Sequence, residues 1–355
     1  MGRRQMIAPE IESHASGVPN ASKISTAACR IANAYEIDSN PWVVAYSGGK
    51  DSTAVLKLLF LALSDAPRLH KPVTVIYCQT GVEIPVLSKL ALDTLNAFRN
   101  ECSKNSLPVE TVILRPPLTE RFFVKVLGRG YPPPTDKFRW CTNRLAINPV
   151  SAFLKQKGHQ RSTILLGVRE SESSTRSLTL KENNDGQRFW SKQRGGVKRS
   201  LFMPILDFST SDVWAANLTL TPPASLKTQQ LADLYANASQ CPSDRSENGA
   251  PSGSARFGCW TCTVARHGTT LRNLIASGSD ELVPLLEFRL WIEAERKKPR
   301  NRWRRRRNGD PGPGPMTKQW RRRALDRLLL AQQESGCYLI EPEEISEIER
   351  IWRTE

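Results

Sequence analysis

The sequence predicts an α/β protein built on a mostly parallel sheet, with a mainly helical C-terminal region. Three observations predict it. Short apolar, β-branched runs alternate with amphipathic stretches of helical spacing through roughly the first 215 residues. The first of these runs, "WVVAYS", ends in a pair of glycines and leads directly into a helical pattern. Beyond residue 214 the strand patterns give way to Leu/Ala-rich helical stretches.

The elements follow in order. Residues 1–40 are expected to form an N-terminal helical segment. A buried strand is expected over 42–47 and an amphipathic helix over 52–63, followed by a second strand over 73–80 ("VTVIYCQT") and a helix over 84–101. "ETVILRP" (110–116) and "STILLGVR" (162–169) are the third and fourth strands. A boundary near residue 215 gives three parts, 1–40, 41–215 and 216–355. The Ser/Gly/Pro-rich stretch 243–255 reads as a loop. "NGDPGPGP" (308–315) breaks any helix, and helical periodicity resumes over 325–333. No internal repeat is present.

Composition narrows the partners. Lys and Arg number 51 against 35 Asp and Glu, a net charge of +16 that favours polyanions, most often nucleic acid. Much of it is local: nine of the twelve residues over 296–307, "RKKPRNRWRRRR", are basic and none is acidic. With Trp303 interleaved, this run points to DNA-backbone contact. A segment binding another protein is the competing reading. The N-terminus lacks the apolar core of a secretory signal, and Met6 stands where a myristoylation site needs Ser or Thr. The longest apolar stretch, 55–63, is too short to span a bilayer and contains Lys57. A soluble, cytoplasmic protein with no membrane partner is expected. Its eight cysteines are then not expected to form a disulfide framework, and a tight C-x-x-C suggests metal or redox chemistry.

Ser47-Gly48-Gly49-Lys50-Asp51-Ser52 lies between the first strand and its helix. The glycines are adjacent and Asp51 separates Lys50 from Ser52, so this is not the usual G-x-x-x-x-G-K-[ST] loop. Backbone N–H groups turned inward at a helix start would hold an anion. Lys50 would neutralise phosphate charge, and Ser47 and Ser52 would donate hydroxyl hydrogen bonds. The plainer alternative is a Gly-Gly turn capped by Asp51 and Ser52.

"RFGCWTCT" (256–263) sets Cys259 and Cys262 two residues apart, the spacing that chelates one metal centre. Cys141, in "FRWCTNRL", and Cys241, heading "CPSDRSENG", would complete four thiolates for zinc or an iron–sulfur cluster. A redox pair, with Cys141 and Cys241 buried or free, remains the alternative. Cys29, Cys78, Cys102 and Cys337 read as packing residues. Arg169 and Arg176 in "GVRESESSTR" would clamp phosphates, or else form surface ion pairs with Glu170 and Glu172. Asp207 and Ser209 read as helix caps.

The string 47–52 resembles the PP-loop of the ATP-pyrophosphatase superfamily. That resemblance implies an adenine nucleotide alpha hydrolase-like architecture, binding of ATP with Mg²⁺, and cleavage between the α and β phosphates. "GRGYPPPTDKFRWCTNRL" (128–145), "GVRESESSTR" (167–176), "RFGCWTCT" and "GPMTKQWRRRALDRLLLAQ" (314–332) together resemble the DndC-type sulfurtransferases of the Dnd and Ssp DNA phosphorothioation systems. The similarity covers most of the chain from residue 42 to about 333. It implies adenylation of a DNA backbone phosphate and displacement of AMP by sulfur. It further implies a 4Fe–4S cluster, a cysteine desulfurase as sulfur source and other phosphorothioation-complex proteins as partners. Lys50, Asp51, Arg169 and Arg176 would be the catalytic set.

One departure stands out. Relatives often carry a further cysteine just before the C-x-x-C string, where this chain reads "APSGSARFG" with Ser252 and Ser254. The fourth ligand must then be Cys241, or one iron stays open. Three rivals remain: a phosphoadenosine phosphosulfate reductase, a PP-loop tRNA thiolase, and a non-catalytic DNA-binding subunit. The first usually ends in a Glu-Cys-Gly string that is absent here, and the intact 47–52 string argues against the last.

Overall fold

A computed structural model describes residues 21–66, 68–135, 137–156, 158–172, 188–192, 199–220, 223, 225–226, 228–238, 257–264 and 268–355. Six strands form one sheet in the order β3-β2-β1-β4-β6-β5. They are β1 (Trp42–Tyr46), β2 (Val73–Cys78), β3 (Val109–Leu114), β4 (Thr163–Leu166), β5 (Trp190–Lys192) and β6 (Ser200–Phe202). β1 lies parallel between β2 and β4, with Trp42 opposite both Val73 and Thr163. Only β5 runs antiparallel, against β6. The four expected strands are all present, each somewhat shorter than the apolar run that marks it. β5 and β6 leave no pattern in the sequence, because such short strands are too brief to show alternation.

Three helices enclose the first core with the sheet: α1 (Ala21–Ile37), α2 (Lys50–Ser64) and α3 (Pro85–Lys104). α2 is buried nearly all round, since α1 and α5 (Thr210–Thr219) pack on it. Its buried Lys57 reaches the end of α5, where its ammonium donates to the carbonyls of Asn217 (2.5 Å) and Leu220 (2.7 Å). Burial lowers its pKa to about 8. Ser209 caps α5 in a reciprocal capping box with Asp212. Asp207 does not cap; it pairs with Arg30 of α1 at 3.2 Å.

α5 runs across residue 215, where the sequence suggested a boundary, and is followed by α6 (Thr228–Ala238). The remaining helices, α7 (Thr269–Ala276), α8 (Val283–Glu295), α9 (Lys318–Ser335) and α10 (Pro342–Thr354), build a second core. Its stacked centre is Trp291 on Trp320, with ring centroids 5.7 Å apart.

The excursion between β3 and β4 belongs to that second core. Phe122, Phe123, Val124, Val126 and Leu127 are buried among the C-terminal helices, as are Trp140 and Leu145. The excursion winds through two π-helical turns, Val124–Gly128 and Thr142–Ile147, the latter running into α4 (Asn148–Leu154). α10 comes close to Gly128: a Cβ there would sit 2.9 Å from Ile351 Cδ1. The buried Arg321 guanidinium donates to the Gly128 carbonyl and pairs with Glu355. Among the described residues no helix is long and apolar enough to cross a membrane.

Glu344, in the first turn of α10, is 7 % exposed, and burial raises its carboxyl pKa to about 7. Between the ordinary carboxylate range and pH 7 the folded chain therefore keeps a proton that the unfolded chain releases, so stability falls as pH rises through that window. Glu344→Gln removes the ionisation and keeps an acceptor for the Glu341 N–H. Thermal melts should show the variant more stable than the parent at pH 8, by up to about 3 kcal/mol, with the gap closing by pH 4. A constant gap at all pH values would show that Glu344 ionises normally.

Candidate nucleotide and thiol site

The PP-loop-like string leaves the carboxyl end of β1 at the point where the sheet extends to both sides, the usual ligand crevice of such sheets. Gly48 has φ +76°, and a Cβ on it would lie 2.8 Å from the Ala91 Cβ of α3. Gly49 is the N-cap of α2 in extended conformation, without a side-chain cap. The start of α2 thus presents backbone donors toward the crevice. Ser52 Oγ accepts from Ser47 N at 3.2 Å, donates to the Gly49 carbonyl at 3.0 Å, and lies 3.1 Å from Ser47 Oγ. These bonds shape the loop.

Asp51 holds two cations. Its Oδ2 accepts from Lys50 Nζ at 2.7 Å, and its Oδ1 accepts from Arg169 Nε at 2.5 Å. All three side chains are largely buried. Arg169 is placed on Asp51, Ser171 (3.0 Å) and Thr210 (3.3 Å) rather than on the wall of the crevice. It is neither an open phosphate clamp nor a surface partner of Glu170, which pairs with Arg188 instead. Its guanidinium thus holds Asp51. Gly167, at the end of β4, permits this approach: a Cβ there would lie 2.9 Å from Asp51 C and Ser52 N. Arg176 lies outside the described residues.

Two residues that the sequence reading missed complete the loop's surroundings. Tyr235 of α6 receives the Lys50 N–H at 3.3 Å, with its ring 5.5 Å from Lys50 Nζ. The buried Asn217 donates to the Lys50 carbonyl at 2.9 Å. Neither had a local signal, since each sits singly in an ordinary helical pattern.

The loop opens into a cavity of about 490 Å³ whose lining includes 47–52, Tyr77, Thr80, Glu83, Ser88, Gly167, Tyr235 and Cys259. Cys259 reaches it through a backbone seam. Glu83 and Cys259 form an antiparallel bridge, and Trp260 N donates to the Val82 carbonyl at 3.0 Å. Glu83 is itself fixed by Thr80 N and Thr80 Oγ1, both at 2.7 Å. The C-x-x-C turn closes through Cys262 N on the Cys259 carbonyl at 3.0 Å. Arg289 anchors it by donating to the Cys262 carbonyl at 2.9 Å. Arg296 donates to the carbonyls of Thr263 (3.2 Å) and Pro134 (2.5 Å).

Cys141 is brought to the same neighbourhood by the π-helical excursion. Desolvation and the nearby Cys262 raise its thiol pKa. Cys259, exposed at the cavity but crowded by protein, is shifted the same way by desolvation, then by Glu83, Cys262 and Cys141. The three sulfurs thus lie within electrostatic reach of one another, and three cysteine donors suit a soft, thiolate-bound metal group. Among the described residues, however, no three His, Cys, Asp or Glu side chains stand close enough to hold a metal ion as they are. Cys241 lies outside the described residues. Of the cysteines read as packing, Cys102 is buried, while Cys29, Cys78 and Cys337 are half-buried.

The arginine run splits in two. Arg296 and Arg302 point inward to main-chain carbonyls, Arg302 Nε onto Gly314 at 2.5 Å. Arg300 and residues 304–307 are exposed, as is Trp303 at 57 %.

Residues 41–265 match the phosphoadenosine phosphosulfate reductase domain. The chain belongs to that family. Two uncharacterized proteins of Methanocaldococcus jannaschii are 27 % identical over 185 residues and 26 % identical over 249 residues, covering 52 % and 70 % of this chain. The matches span only 32 % and 46 % of those proteins' own lengths. Among solved structures, a phosphoadenylyl-sulfate reductase of Candida auris is similar at TM-score 0.38 and 12 % identity, over 65 % of this chain and 87 % of its own. A U34-tRNA thiolase of Methanococcus maripaludis, solved with its 4Fe–4S cluster, is similar at TM-score 0.35 and 13 % identity, over 78 % and 79 %. At such scores the site must be read from this chain's own residues.

Gly167→Ala should destabilise the chain by about 1–3 kcal/mol, because its new methyl meets main chain rather than a movable side chain. Gly258→Ala, whose Cβ would meet nothing within 4 Å, is the control and should be nearly silent. Denaturant titration of both variants decides; equal midpoints would mean that β4 does not constrain the loop.

Proposed function

We propose that the chain is an ATP-dependent sulfurtransferase of the DndC type, which activates a phosphate of the DNA backbone for sulfur insertion. One observation carries the reading: the PP-loop string and Cys259 of the C-x-x-C turn line one cavity. Phosphate-binding donors and a thiol on one cavity suit a reaction that activates an oxygen and then replaces it.

In the first step a non-bridging oxygen of the DNA phosphate attacks the α-phosphorus of ATP, supplied as its Mg²⁺ complex. The bond from the α-phosphorus to the α–β bridging oxygen breaks, and pyrophosphate leaves with that oxygen. The α2 N-terminus and Lys50 hold the leaving pyrophosphate, and Asp51, gripped by Arg169, keeps Lys50 in place. In the second step a sulfur nucleophile, drawn ultimately from a cysteine desulfurase, attacks the DNA phosphorus and AMP departs with the transferred oxygen. A 4Fe–4S cluster held by Cys141, Cys259 and Cys262 would supply soft, redox-active sulfur chemistry beside the cavity. Other proteins of a phosphorothioation complex are expected partners. The exposed arginines support a nucleic-acid acceptor over a small sulfonucleotide, which would need no such surface.

Two measurements test the reading. Purified protein with ATP should form AMP and pyrophosphate, and Asp51→Ala, assayed below its thermal midpoint, should lower that rate at least about a hundredfold, with the midpoint itself lowered because Lys50 and Arg169 lose their buried carboxylate. ADP and phosphate as main products would overturn it. Protein purified without oxygen should be brown, with about four irons per chain. Cys141→Ser, Cys259→Ser and Cys262→Ser should each lose colour and iron. Cys241→Ser reports the fourth position: loss of iron makes it a ligand, and full retention leaves that position to another group. A colourless zinc protein would remove the cluster from the proposal.

A further inference from the structure

The exposed arginines surround an aromatic ring with no internal use. Residues 302–316 fold back on themselves through isolated bridges between Arg302 and Met316 and between Arg305 and Pro311. Trp303 is pinned on both sides of its backbone, its N–H donating to the Pro315 carbonyl at 2.9 Å and its carbonyl accepting from Gly314 N at 2.7 Å. Gly314 is obligatory, since a Cβ there would collide with the Arg305 carbonyl. The backbone that carries the indole is therefore held in place while 57 % of the residue remains open to solvent. It stands in a broad groove of about 980 Å³ lined by Arg300, Arg302 and residues 304–307.

A chain of contacts runs from the groove's edge to the residue before Cys141. Arg307 crosses to the excursion between β3 and β4, donating to the Arg129 carbonyl and lying 4.9 Å from the Tyr131 ring centroid. The same ring faces Lys125 at 5.5 Å and Arg144 at 5.6 Å. Glu120 pairs with both of these and offsets one charge, leaving the track positive. Tyr131 in turn meets Trp140 edge-on at 5.3 Å, and Cys141 is the next residue.

We propose that Trp303 and the arginines around it bind single-stranded DNA, the indole stacking on an unpaired base while Arg307, Tyr131 and Arg144 guide the backbone toward Cys141. Duplex DNA hides its base faces, so an open indole on a pinned backbone among guanidinium groups favours a strand whose bases are free. Base–aromatic stacking is tolerant of sequence and adds to phosphate neutralisation. This rests on the DNA-directed reading above and specifies the form of DNA that the surface receives.

The test uses the full chain and fluorescein-labelled deoxyoligonucleotides, single-stranded and duplex, of one sequence, followed by anisotropy at several salt concentrations. The parent should bind the single strand more tightly. Trp303→Ala should weaken single-strand binding at least about fivefold, leave duplex binding and the salt slope unchanged, and keep the thermal midpoint. Trp303→Phe should retain most of the affinity. Replacing Arg304, Arg305, Arg306 and Arg307 with Gln should flatten the single-strand salt slope by about 0.7 for each phosphate no longer neutralised. If the arginine variant loses affinity and slope while Trp303→Ala is silent, or weakens both DNA forms alike, the stacking proposal falls and the DNA reading stands. Tighter binding to an oligoribonucleotide of the same sequence would overturn the assignment to DNA. If the parent binds neither DNA form, both readings fall together.

Discussion

A short backbone seam organises this molecule: the bridge between Glu83 and Cys259, with the Trp260 N–H on the Val82 carbonyl. It stitches the C-x-x-C turn to the loop leaving β2, and so places a thiol on the wall of the cavity entered by the start of α2. Main-chain hydrogen bonds suit this task because they fix position without depending on a side-chain rotamer. Trp260, buried between Phe123 and Phe288, then ties the seam into the second core. The sheet supplies the loop 47–52 and the C-x-x-C turn supplies a thiol; the seam sets both on one cavity.

The two cores are interleaved rather than consecutive. The excursion between β3 and β4 leaves the sheet, packs among the C-terminal helices and returns, carrying Cys141 with it. Thr263 Oγ1 donates to the Pro134 carbonyl at 2.6 Å, and Arg296 reaches the same carbonyl. Protein packing alone thus brings together sulfurs separated by about 120 residues of chain. Desolvation first, and neighbouring charge after it, push the Cys141 and Cys259 thiol pKa values up, and a bound cation would oppose that push.

Much of the sheet was legible because buried parallel strands leave unbroken apolar runs, and the PP-loop because glycine adjacency and the order Lys50, Asp51, Ser52 are local features. α2 and α3 begin and end within a few residues of the expected positions, since apolar periodicity fades gradually at helix ends. The membership of 118–145 in the second core was not legible: "RFFVKVLG" is an apolar run of neither helical nor strand period, and a π-helical turn has no sequence signature of its own. The arginine run was legible as charge but not as contact. Whether a guanidinium meets a carbonyl, as Arg296 and Arg302 do, or stays exposed, as Arg304 does, depends on distant backbone that spacing does not encode. Tyr235 and Asn217 escaped for the same reason.

The π-helical turn at Thr142–Ile147 has a consequence for chain length. A π-turn amounts to an α-helix carrying one surplus residue, and each helical residue turns the chain by about 100°. Downstream, Phe153 and Leu154 of α4 are buried beside β1 and β4 and cannot rotate. Trp140, on the upstream side, is buried in the second core, so removing one residue from 142–147 would set the two buried ends about 100° out of register, with Cys141 at the upstream end. Residue count here thus behaves as an angular setting. The spacing from Cys141 to Phe153 sets the direction of the thiol as firmly as side-chain chemistry does, and a homologue with a shorter segment would need a different donor to face the C-x-x-C turn.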